Sequence, residues 1–421
     1  MKQGTRLSIL FAVAMLVAFG AFGEGYRTEV GSGPDIISLI VVKGTPYEMG
    51  YAFGELMKDE VSLGMGGYLD YAQSSGAEIY TDEYLDKAWA MTSPNVDERF
   101  KEELRGLADG SGVSLERLIR GHMVPVVSDY ACSGVAVWDG ATKDGHLYQI
   151  RNLDFTMDAH LQDYPAIVVY LPNEDVGIPH MNITFAGCIG CNTGINAEGI
   201  ALSEKGASPK DDQPHDLDGE HFMTYFRQIL YDAHSLDEAV TIVKNAKRIK
   251  KYRFYIGDGQ DKKAVKIKAY APDMLVWADN DPVDEVAPNV IENAIYYTMN
   301  DEAAFAHLTE NWGNYDENSM IELSRLLATK NGNLLDVVYD ATDLECWVAF
   351  AEGMSPASSR RYVPVNFKDY LTYDPVAAAA EAVVAAPAAS GAAGGSGKKL
   401  ALLGIPIVIV VAVLAWALFL R

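Results

Sequence analysis

Residues 132–155 read CSGVAVWDGATKDGHLYQIRNLDF, and this stretch predicts a β-hairpin. Small and apolar residues alternate over 133–138, and a second strand pattern covers 146–151. The Asp-Gly dipeptide at 144–145, between the two patterns, favours a tight turn. Strand patterns elsewhere surround helical segments, which favours an α+β class whose antiparallel sheets carry helices on their outer faces.

The hairpin would bring polar residues of its second strand beside Cys132. Arg151 and Asp154 lie near the end of that strand, and a nearby cation lowers a thiol pKa from its reference value of about 8.5. No histidine is needed as a base if the α-amine of Cys132 is free, since its reference pKa is about 7.7–8.0. That design requires cleavage between Ala131 and Cys132. Taken alone, Cys132 would be interpreted as a buried, inert thiol.

The spacing Cys … Ala-Thr-Lys-Asp-Gly … Arg-Asn-Leu-Asp-Phe in this stretch resembles the start of the mature chain in the penicillin acyltransferase (peptidase C45) family of N-terminal nucleophile (Ntn) hydrolases. That family is related to the choloylglycine hydrolases and acid ceramidases. Residues 43–54, KGTPYEMGYAFG, are similar to its pro-segment signature. The resemblance covers roughly residues 36–367. It implies a four-layer αββα sandwich with two antiparallel sheets, and self-cleavage into two chains that stay together.

The resemblance also implies the site residues. Cys132 is the nucleophile, its new amine is the base, and the cleaved bond joins Ala131 to Cys132. The matching motifs supply the remaining catalytic residues, which are Arg151, Asp154, Asn196, Asn300 and Arg361. Asn196 would be an oxyanion or substrate contact and Asn300 an oxyanion donor. No cofactor and no metal are implied. The sequence departs from the family pattern at three places. Ala131 stands where Gly is frequent, Gly134 stands where Ser or Thr is usual, and Asn196-Ala197-Glu198 stands where the family has Asn directly followed by Glu.

The function predicted from these features is that of an exported, autoproteolytically activated amide hydrolase or acyltransferase. It would act on linear amide (N-acyl) C–N bonds through a thioester on Cys132, and its partners would be a small-molecule N-acyl substrate and its own cleaved pro-segment. An esterase or phospholipase B-like hydrolase on the same fold is one alternative. A catalytically inactive, surface-anchored binding module is another. A histidine-assisted protease is disfavoured, because His122 and His146 lie in no recognisable triad context.

The charge of the chain bears on its partners. The formal net charge is −24, which argues against a nucleic-acid partner because few cations are available for phosphates. There are four cysteines, too few for a disulfide framework in a chain of this length. Cys188 and Cys191 could pair with each other or could be small buried side chains.

The two ends of the chain predict targeting segments. Residues 1–23 resemble a signal peptide, 24–131 the pro-segment and 132–376 the catalytic chain. Residues 377–399 form an Ala/Gly-rich linker, and 400–421 are apolar enough for a transmembrane helix. We therefore expect an exported protein, anchored to the cell membrane by this helix, with its catalytic domain outside the cytoplasm. The flanking Lys and Arg residues do not follow the positive-inside rule, and a removable sorting tail is the alternative.

Overall fold

The computed structural model describes residues 16–20, 23–128, 131–206, 217–269, 273–281, 290–329 and 332–375. The chain divides into two compact units, Met1–Val383 and Val384–Arg421, and all of the described residues belong to the first. That unit contains two β-sheets, which we call sheet A and sheet B.

Within the described residues, sheet A has ten strands and therefore nine neighbouring pairs, of which eight are antiparallel and one is parallel. In spatial order the strands are β1 (Leu16–Gly20), β2 (Gly23–Val30), β3 (Ile37–Gly44), β6 (Pro165–Pro172), β7 (His180–Phe185), β8 (Thr193–Asn196), β9 (Ile200–Lys205), β10 (Tyr252–Asp258), β11 (Lys263–Ala269) and β12 (Met274–Trp277). The exception is the pair β3 and β6, which is parallel. A parallel pair needs a long connection, and here the connection contains every helix of the predicted pro-segment and the 132–155 hairpin.

Sheet B has six strands and is antiparallel throughout. Its spatial order is β13 (Ala294–Tyr297), β4 (Ala131–Asp139), β5 (Gly145–Asp154), β14 (Asn333–Asp340), β15 (Glu345–Phe350) and β16 (Val363–Asn366). Strands β4 and β5 are the hairpin predicted from the sequence. Gly145 begins β5 with a positive φ of 74°, a conformation that glycine adopts without steric cost.

Helices cover the outer faces of both sheets, and further helices pack on these helices. They are α1 (Pro46–Leu56), α2 (Lys58–Ser74), α3 (Asp82–Thr92), α4 (Glu98–Ser111), α5 (Leu115–Val127), α6 (Phe222–Asp232), α7 (Leu236–Asn245), α8 (Asp301–Glu310) and α9 (Glu317–Leu327). Helices α1, α6 and α7 pack on sheet A, and α8 and α9 pack on sheet B. The inner faces meet where β4 and β5 contact β9 and β10. The predicted α+β class and its four-layer αββα arrangement are therefore confirmed.

One glycine in β4 allows the two sheets to approach each other. A Cβ atom added to Gly134 would lie 2.3 Å from Cε2 of Tyr255 on β10, a separation that no real contact reaches. The departure from the family pattern at this position therefore has a physical reason, because a Ser or Thr side chain would collide with the tyrosine ring.

The predicted cellular location, in which a transmembrane helix anchors the protein to the cell membrane, is contradicted by the structure. A bilayer-spanning helix needs about 20 consecutive apolar residues, and within the described part of the chain no helix is both long and apolar enough. The linker 377–399 and the predicted transmembrane helix 400–421 lie outside the described residues. So do residues 1–15 and 21–22 of the predicted signal peptide, while Leu16–Gly20 pair with β2 as strand β1. The signal peptide stays a prediction.

Candidate active site

Cys132 lies near the start of β4, opposite Leu153 of β5, and its side chain is fully buried. Its Sγ is 3.8 Å from Oε2 of Glu204. Burial raises the pKa of the Cys132 thiol to about 12, although the charge of Arg151 and the backbone N–H of Gly206 act in the opposite direction. In the uncut chain the thiol therefore keeps its proton at neutral pH, and attack by the sulfur requires a base.

Arg151 shares the carboxylate of Glu204 with Cys132. Arg151 is fully buried, and its Nη2 lies 3.6 Å from the same Glu204 oxygen. Its other bonds fix the guanidinium in place: Nη1 donates to the carbonyl of Asn152 at 2.6 Å and Nε donates to the carbonyl of Asn192 at 3.2 Å. The thiol, a carboxylate and a cation thus meet where β4, β5 and β9 come together.

Asp154 occupies the other side of the bond that is predicted to break. It is the direct partner of Ala131 in the β4–β5 register. Its Oδ1 accepts from Nδ2 of Asn333 at 3.3 Å and from the backbone N–H of Thr329 at 3.4 Å, whereas its buried Oδ2 has no hydrogen-bond partner within the described residues. Burial raises the pKa of the Asp154 carboxyl. A buried acceptor without a donor is costly, and an amine formed at Cys132 would supply one.

A second buried carboxyl group is linked to Asp154. Nδ2 of Asn333 also donates to Oδ1 of Asp336 at 2.6 Å, and the hydroxyl of Tyr362 donates to Oδ2 of Asp336 at 2.8 Å. Burial raises the pKa of Asp336 to about 7, and the charge of Asp154 acts in the same direction. Protonation of Asp336 near neutral pH therefore changes the electrostatics beside Asp154.

The turn at 298–301 places Asn300 at the same end of sheet B. The backbone N–H of Met299 donates to Oγ of Ser133 at 3.1 Å, next to Cys132. Asn300 is exposed, and its Oδ1 caps α8 by accepting from the backbone N–H of Ala303 at 3.1 Å. Its Nδ2 makes no hydrogen bond to the described residues, so this donor remains available to a ligand.

Two predicted site residues have other partners. The side chain of Asn196 closes the β8–β9 turn: Oδ1 accepts from the backbone N–H groups of Glu198 and Ile200, and Nδ2 donates to the carbonyl of Ala233. Arg361 is exposed and donates to Oγ of Ser32 at 3.3 Å. The structure therefore brings Arg151 and Asp154 to Cys132, and it places Asn300 next to Met299, whose backbone bonds to Ser133. It gives Asn196 and Arg361 contacts elsewhere.

An apolar cavity of about 60 Å³ adjoins the site. Leu153, the strand partner of Cys132, and Asn192, whose carbonyl holds Arg151, are both in its wall. The remaining lining residues come from both sides of Cys132 in the chain and are Met65, Tyr68, His122, Pro125, Phe155, Leu161, Phe185, Cys188, Met223 and Leu334. Such a wall suits an alkyl or aryl group.

All four cysteines of the chain are free and buried, which agrees with Cys188 and Cys191 as small core side chains.

Among the described residues, one group of side chains has the spacing of a metal site. Nδ1 of His146 lies 2.9 Å from Oδ2 of Asp340 and 4.0 Å from Oδ2 of Asp343. These residues lie at the turn ends of β5 and β14, whereas Asp154 lies at the other end of β5. The group is therefore separate from the chemistry at Cys132.

Sequence reasoning missed Glu204, Asn333, Asp336 and Lys205. The available signal for Glu204 and Lys205 was their position at the end of the strand Ile200–Lys205, where charged residues follow an apolar run. Because these two residues are buried, they would be expected to have partners.

Comparison with known proteins agrees with the family resemblance. Residues 141–300 match the model of the family described as acyl-coenzyme A:6-aminopenicillanic acid acyl-transferase. The resemblance predicted from the sequence is confirmed over this range, which includes Arg151, Asp154, Asn196 and Asn300.

Several individual proteins are also similar to the chain. Protein dcd1B of Dictyostelium discoideum is 25% identical over 409 residues, covering 86% of this chain and 80% of that protein. Protein dcd1A of the same organism is 25% identical over 405 residues, covering 86% and 89%. Among solved structures, the Caenorhabditis elegans N-acylethanolamine-hydrolyzing acid amidase ortholog has a TM-score of 0.40 at 18% identity and covers 50% of this chain and 93% of its own. A mutant conjugated bile acid hydrolase of Clostridium perfringens has a TM-score of 0.42 at 11% identity and covers 58% and 95%.

Proposed function

We propose, from the match of residues 141–300 to the acyl-transferase family, that this chain is a self-activating N-terminal-nucleophile amide hydrolase or acyltransferase. It cleaves its own Ala131–Cys132 bond and then attacks linear amide C–N bonds of small N-acyl molecules through a thioester on Cys132. The observation that best supports the proposal is the position of Asp154. Its buried Oδ2, which has no hydrogen-bond partner among the described residues, lies on the residue paired with Ala131, where the new amine of Cys132 would form.

Activation begins with the thiol of Cys132. Its sulfur attacks the carbonyl carbon of Ala131, and the Ala131–Cys132 C–N bond breaks as the nitrogen takes up a proton. Water then hydrolyses the resulting thioester between Ala131 and Sγ of Cys132, which leaves a carboxylate on Ala131 and restores the thiol. The raised pKa of the buried thiol makes this step slow unless a group removes its proton. The nearest carboxylate oxygen to Sγ among the described contacts belongs to Glu204, at 3.8 Å.

Catalysis uses the new amine as both base and acid. The amine accepts the thiol proton while the sulfur attacks the substrate carbonyl, and it returns that proton to the leaving amine as the C–N bond breaks. The acyl group is then held on sulfur as a thioester. Attack by water gives hydrolysis, and attack by another amine or thiol gives acyl transfer. Asp154 holds the amine in place, and Arg151 stabilises the thiolate through the charge that already opposes the high pKa of Cys132.

The negative oxygen of the tetrahedral intermediate needs hydrogen-bond donors. Nδ2 of Asn300 is such a donor, since only its Oδ1 is occupied by helix capping. A preorganised donor of this kind contributes about 3–4 kcal/mol to transition-state stabilisation in known cases.

The apolar cavity next to Leu153 favours an acyl group of alkyl or aryl character. Met65, Tyr68, His122 and Pro125 in its wall belong to the predicted pro-segment. The pro-segment must therefore remain bound after cleavage if the pocket is to keep its shape.

Gel electrophoresis under denaturing conditions and N-terminal sequencing test the proposal. The purified protein should separate into two chains, of which the larger begins at Cys132, and the Cys132→Ala variant should remain a single chain. A wild-type chain that stays whole and does not react with acylating probes would support an inactive binding module instead. Matched amide and ester substrates, with Cys132→Ala as the control, separate an amidase from an esterase.

A further inference from the structure

Lys205 is a buried lysine at the end of β9, directly after Glu204. Only 5% of its surface is exposed. Its Nζ donates to the carbonyl of Thr298 at 2.8 Å and lies 3.6 Å from the ring centroid of Tyr297. Lys205 therefore extends from sheet A to the end of β13 in sheet B, where the 298–301 turn begins.

The 298–301 turn depends on side chains from both sheets for its position. Lys205 of sheet A holds the Thr298 carbonyl, and Oγ of Ser133 in sheet B accepts from the backbone N–H of Met299 at 3.1 Å. Within the turn, Oδ1 of Asp301 accepts from the backbone N–H of Thr298 at 2.6 Å, and Oγ1 of Thr298 accepts from the backbone N–H of Asn300 at 2.9 Å. The turn is thus internally rigid, so a contact that fixes Thr298 also fixes Asn300.

A buried charge is an expensive way to fill this space. Methionine has a stem of similar length and would avoid the cost of removing an ammonium group from water. The ammonium nevertheless lies near an aromatic ring and several charged or titratable groups, which interact with it electrostatically. Besides the Tyr297 ring, these are Asp301 of α8, Arg253 of β10, Glu204 of β9 and Cys132 of β4. Lys205 is therefore in the same electrostatic environment as the thiol.

We propose that Lys205 is a positioning residue for the reaction at Cys132. Its ammonium fixes the 298–300 backbone, and with it the Asn300 donor, at the distance from the sulfur that the tetrahedral intermediate requires. This inference rests on the proposed function and adds a residue to it.

The role predicts a particular pH dependence. Burial lowers the pKa of Lys205 to about 8, with Arg253 acting in the same direction and Asp301, Cys132 and Glu204 opposing it. Lys205 is protonated below this pKa and loses its charge as the pH rises through it. We therefore expect kcat to fall on the alkaline side of about pH 8. The Cys132 amine gives the opposite trend, because a base must lose its proton to act.

Three variants test the proposal: Lys205→Met, Lys205→Arg and the matched control Lys266→Met. Lys266 is also buried, and its Nζ donates at 3.2 Å to the carbonyl of Tyr296 on β13, two residues before Thr298. For each protein, the cleaved fraction is measured on gels, and kcat and KM are measured on the cleaved enzyme from pH 6 to about 10.

We expect Lys205→Met to lower kcat by about tenfold to a hundredfold, the loss of a hydrogen bond from a charged donor, with KM within about twofold and without the alkaline fall in kcat. Lys205→Arg should recover most of the activity and move the alkaline fall to higher pH, since guanidinium does not titrate in this range. Lys266→Met should keep the wild-type pH profile.

Lys205 variants that retain both the wild-type kcat and the alkaline fall would overturn the inference and leave the proposed function intact. If Lys205→Met does not fold, Lys205→Arg decides, and an unmoved alkaline fall overturns the inference. A wild-type chain that is neither cleaved nor active overturns the proposed function and this inference together.

Discussion

Glu204 Oε2 lies 3.6 Å from Nη2 of Arg151, and both side chains are fully buried. The same oxygen lies 3.8 Å from Sγ of Cys132. In the proposed mechanism Arg151 stabilises the thiolate of Cys132, so its charge is partly neutralised by a carboxylate before catalysis begins. This arrangement favours folding of the uncut chain, because an unpaired guanidinium at this depth would be costly.

The first prediction concerns this ion pair. Replacing Glu204 by Gln removes the carboxylate that forms an ion pair with the buried Arg151, and we expect the free energy of unfolding to fall by about 3–5 kcal/mol. Urea unfolding of chains that also carry Cys132→Ala, so that cleavage does not contribute, measures the change. The double variant Arg151→Met/Glu204→Gln should recover much of the loss, because neither charge remains. Equal stability of the single variant and its parent would show that the pair does not hold the precursor together.

The second prediction concerns Asp154 and separates stability from activity. In the uncut chain Oδ2 of Asp154 has no partner among the described residues. Burial raises the pKa of the carboxyl, although hydrogen bonds from Thr329 and Asn333 and the charge of Arg151 act in the opposite direction, so the fold disfavours the ionised form. Asp154→Asn in the Cys132→Ala chain should therefore raise the free energy of unfolding by about 1–3 kcal/mol, measured by urea unfolding. In the cleaved enzyme the same substitution should lower kcat by at least about a hundredfold, because the amine loses its carboxylate.

Asn333→Ala is the control for Asp154. It removes the Nδ2 donor to Oδ1 and should destabilise the chain. A loss of stability in Asp154→Asn as large as that in Asn333→Ala would contradict the assignment of Asp154 to the amine.

The third prediction concerns the pH dependence of stability. The folded-state pKa of Asp336, about 7, is raised from a reference value of 3.8 by burial, so the folded chain binds a proton more tightly than the unfolded chain does. The stabilising contribution is complete below about pH 4, declines as the pH rises, and is lost above about pH 7; its total is on the order of 4 kcal/mol. Asp336→Asn should flatten this decline. Urea unfolding of both proteins between pH 4 and 8 measures it, and parallel curves would show that Asp336 is not the group responsible.

The fourth prediction concerns the acyl pocket. Met65 on α2 lines the cavity, so Met65→Ala should enlarge it and raise kcat/KM for N-acyl substrates that are one or two methylenes longer, by about tenfold or more relative to the best wild-type substrate. Leu63 on the same helix is 56% exposed, and Leu63→Ala is the matched control that should leave the chain-length preference unchanged. An unchanged chain-length preference in Met65→Ala would show that this pro-segment residue does not shape the acyl pocket.

The sequence predicted those parts of the fold that depend on local pattern. The β4–β5 hairpin follows from the alternation of small and apolar residues and from an Asp-Gly turn. Its local pairing places Arg151 and Asp154 near Cys132 independently of the rest of the fold. Glu204 and Lys205 reach the site only through the register of β9 and the packing of one sheet on the other. No local pattern specifies that register, so their partners could not be predicted.

Other differences have the same origin. Asn196 lies in a Gly-Ile-Asn-Ala-Glu-Gly turn, which matches a family motif, but its side chain is fully used in closing that turn. The parallel pairing of β3 with β6 joins segments separated by more than a hundred residues, and composition says nothing about such a pairing. The small size of Gly134 became understandable only when Tyr255 was found opposite it.

The β3–β6 pair has a consequence for the proposed cleavage. Strands β1–β3 precede Cys132 and β6–β12 follow it, yet they form one continuous sheet. Cleavage would therefore turn a single-chain fold into an obligate heterodimer whose subunits share a hydrogen-bonded seam. Folding of the precursor is a first-order process, whereas reassembly of the separated chains would be second order and would depend on protein concentration. The covalent link that assists folding of the precursor would be absent after cleavage. A molecule that unfolded after activation would therefore have to re-associate with a separate chain in order to refold.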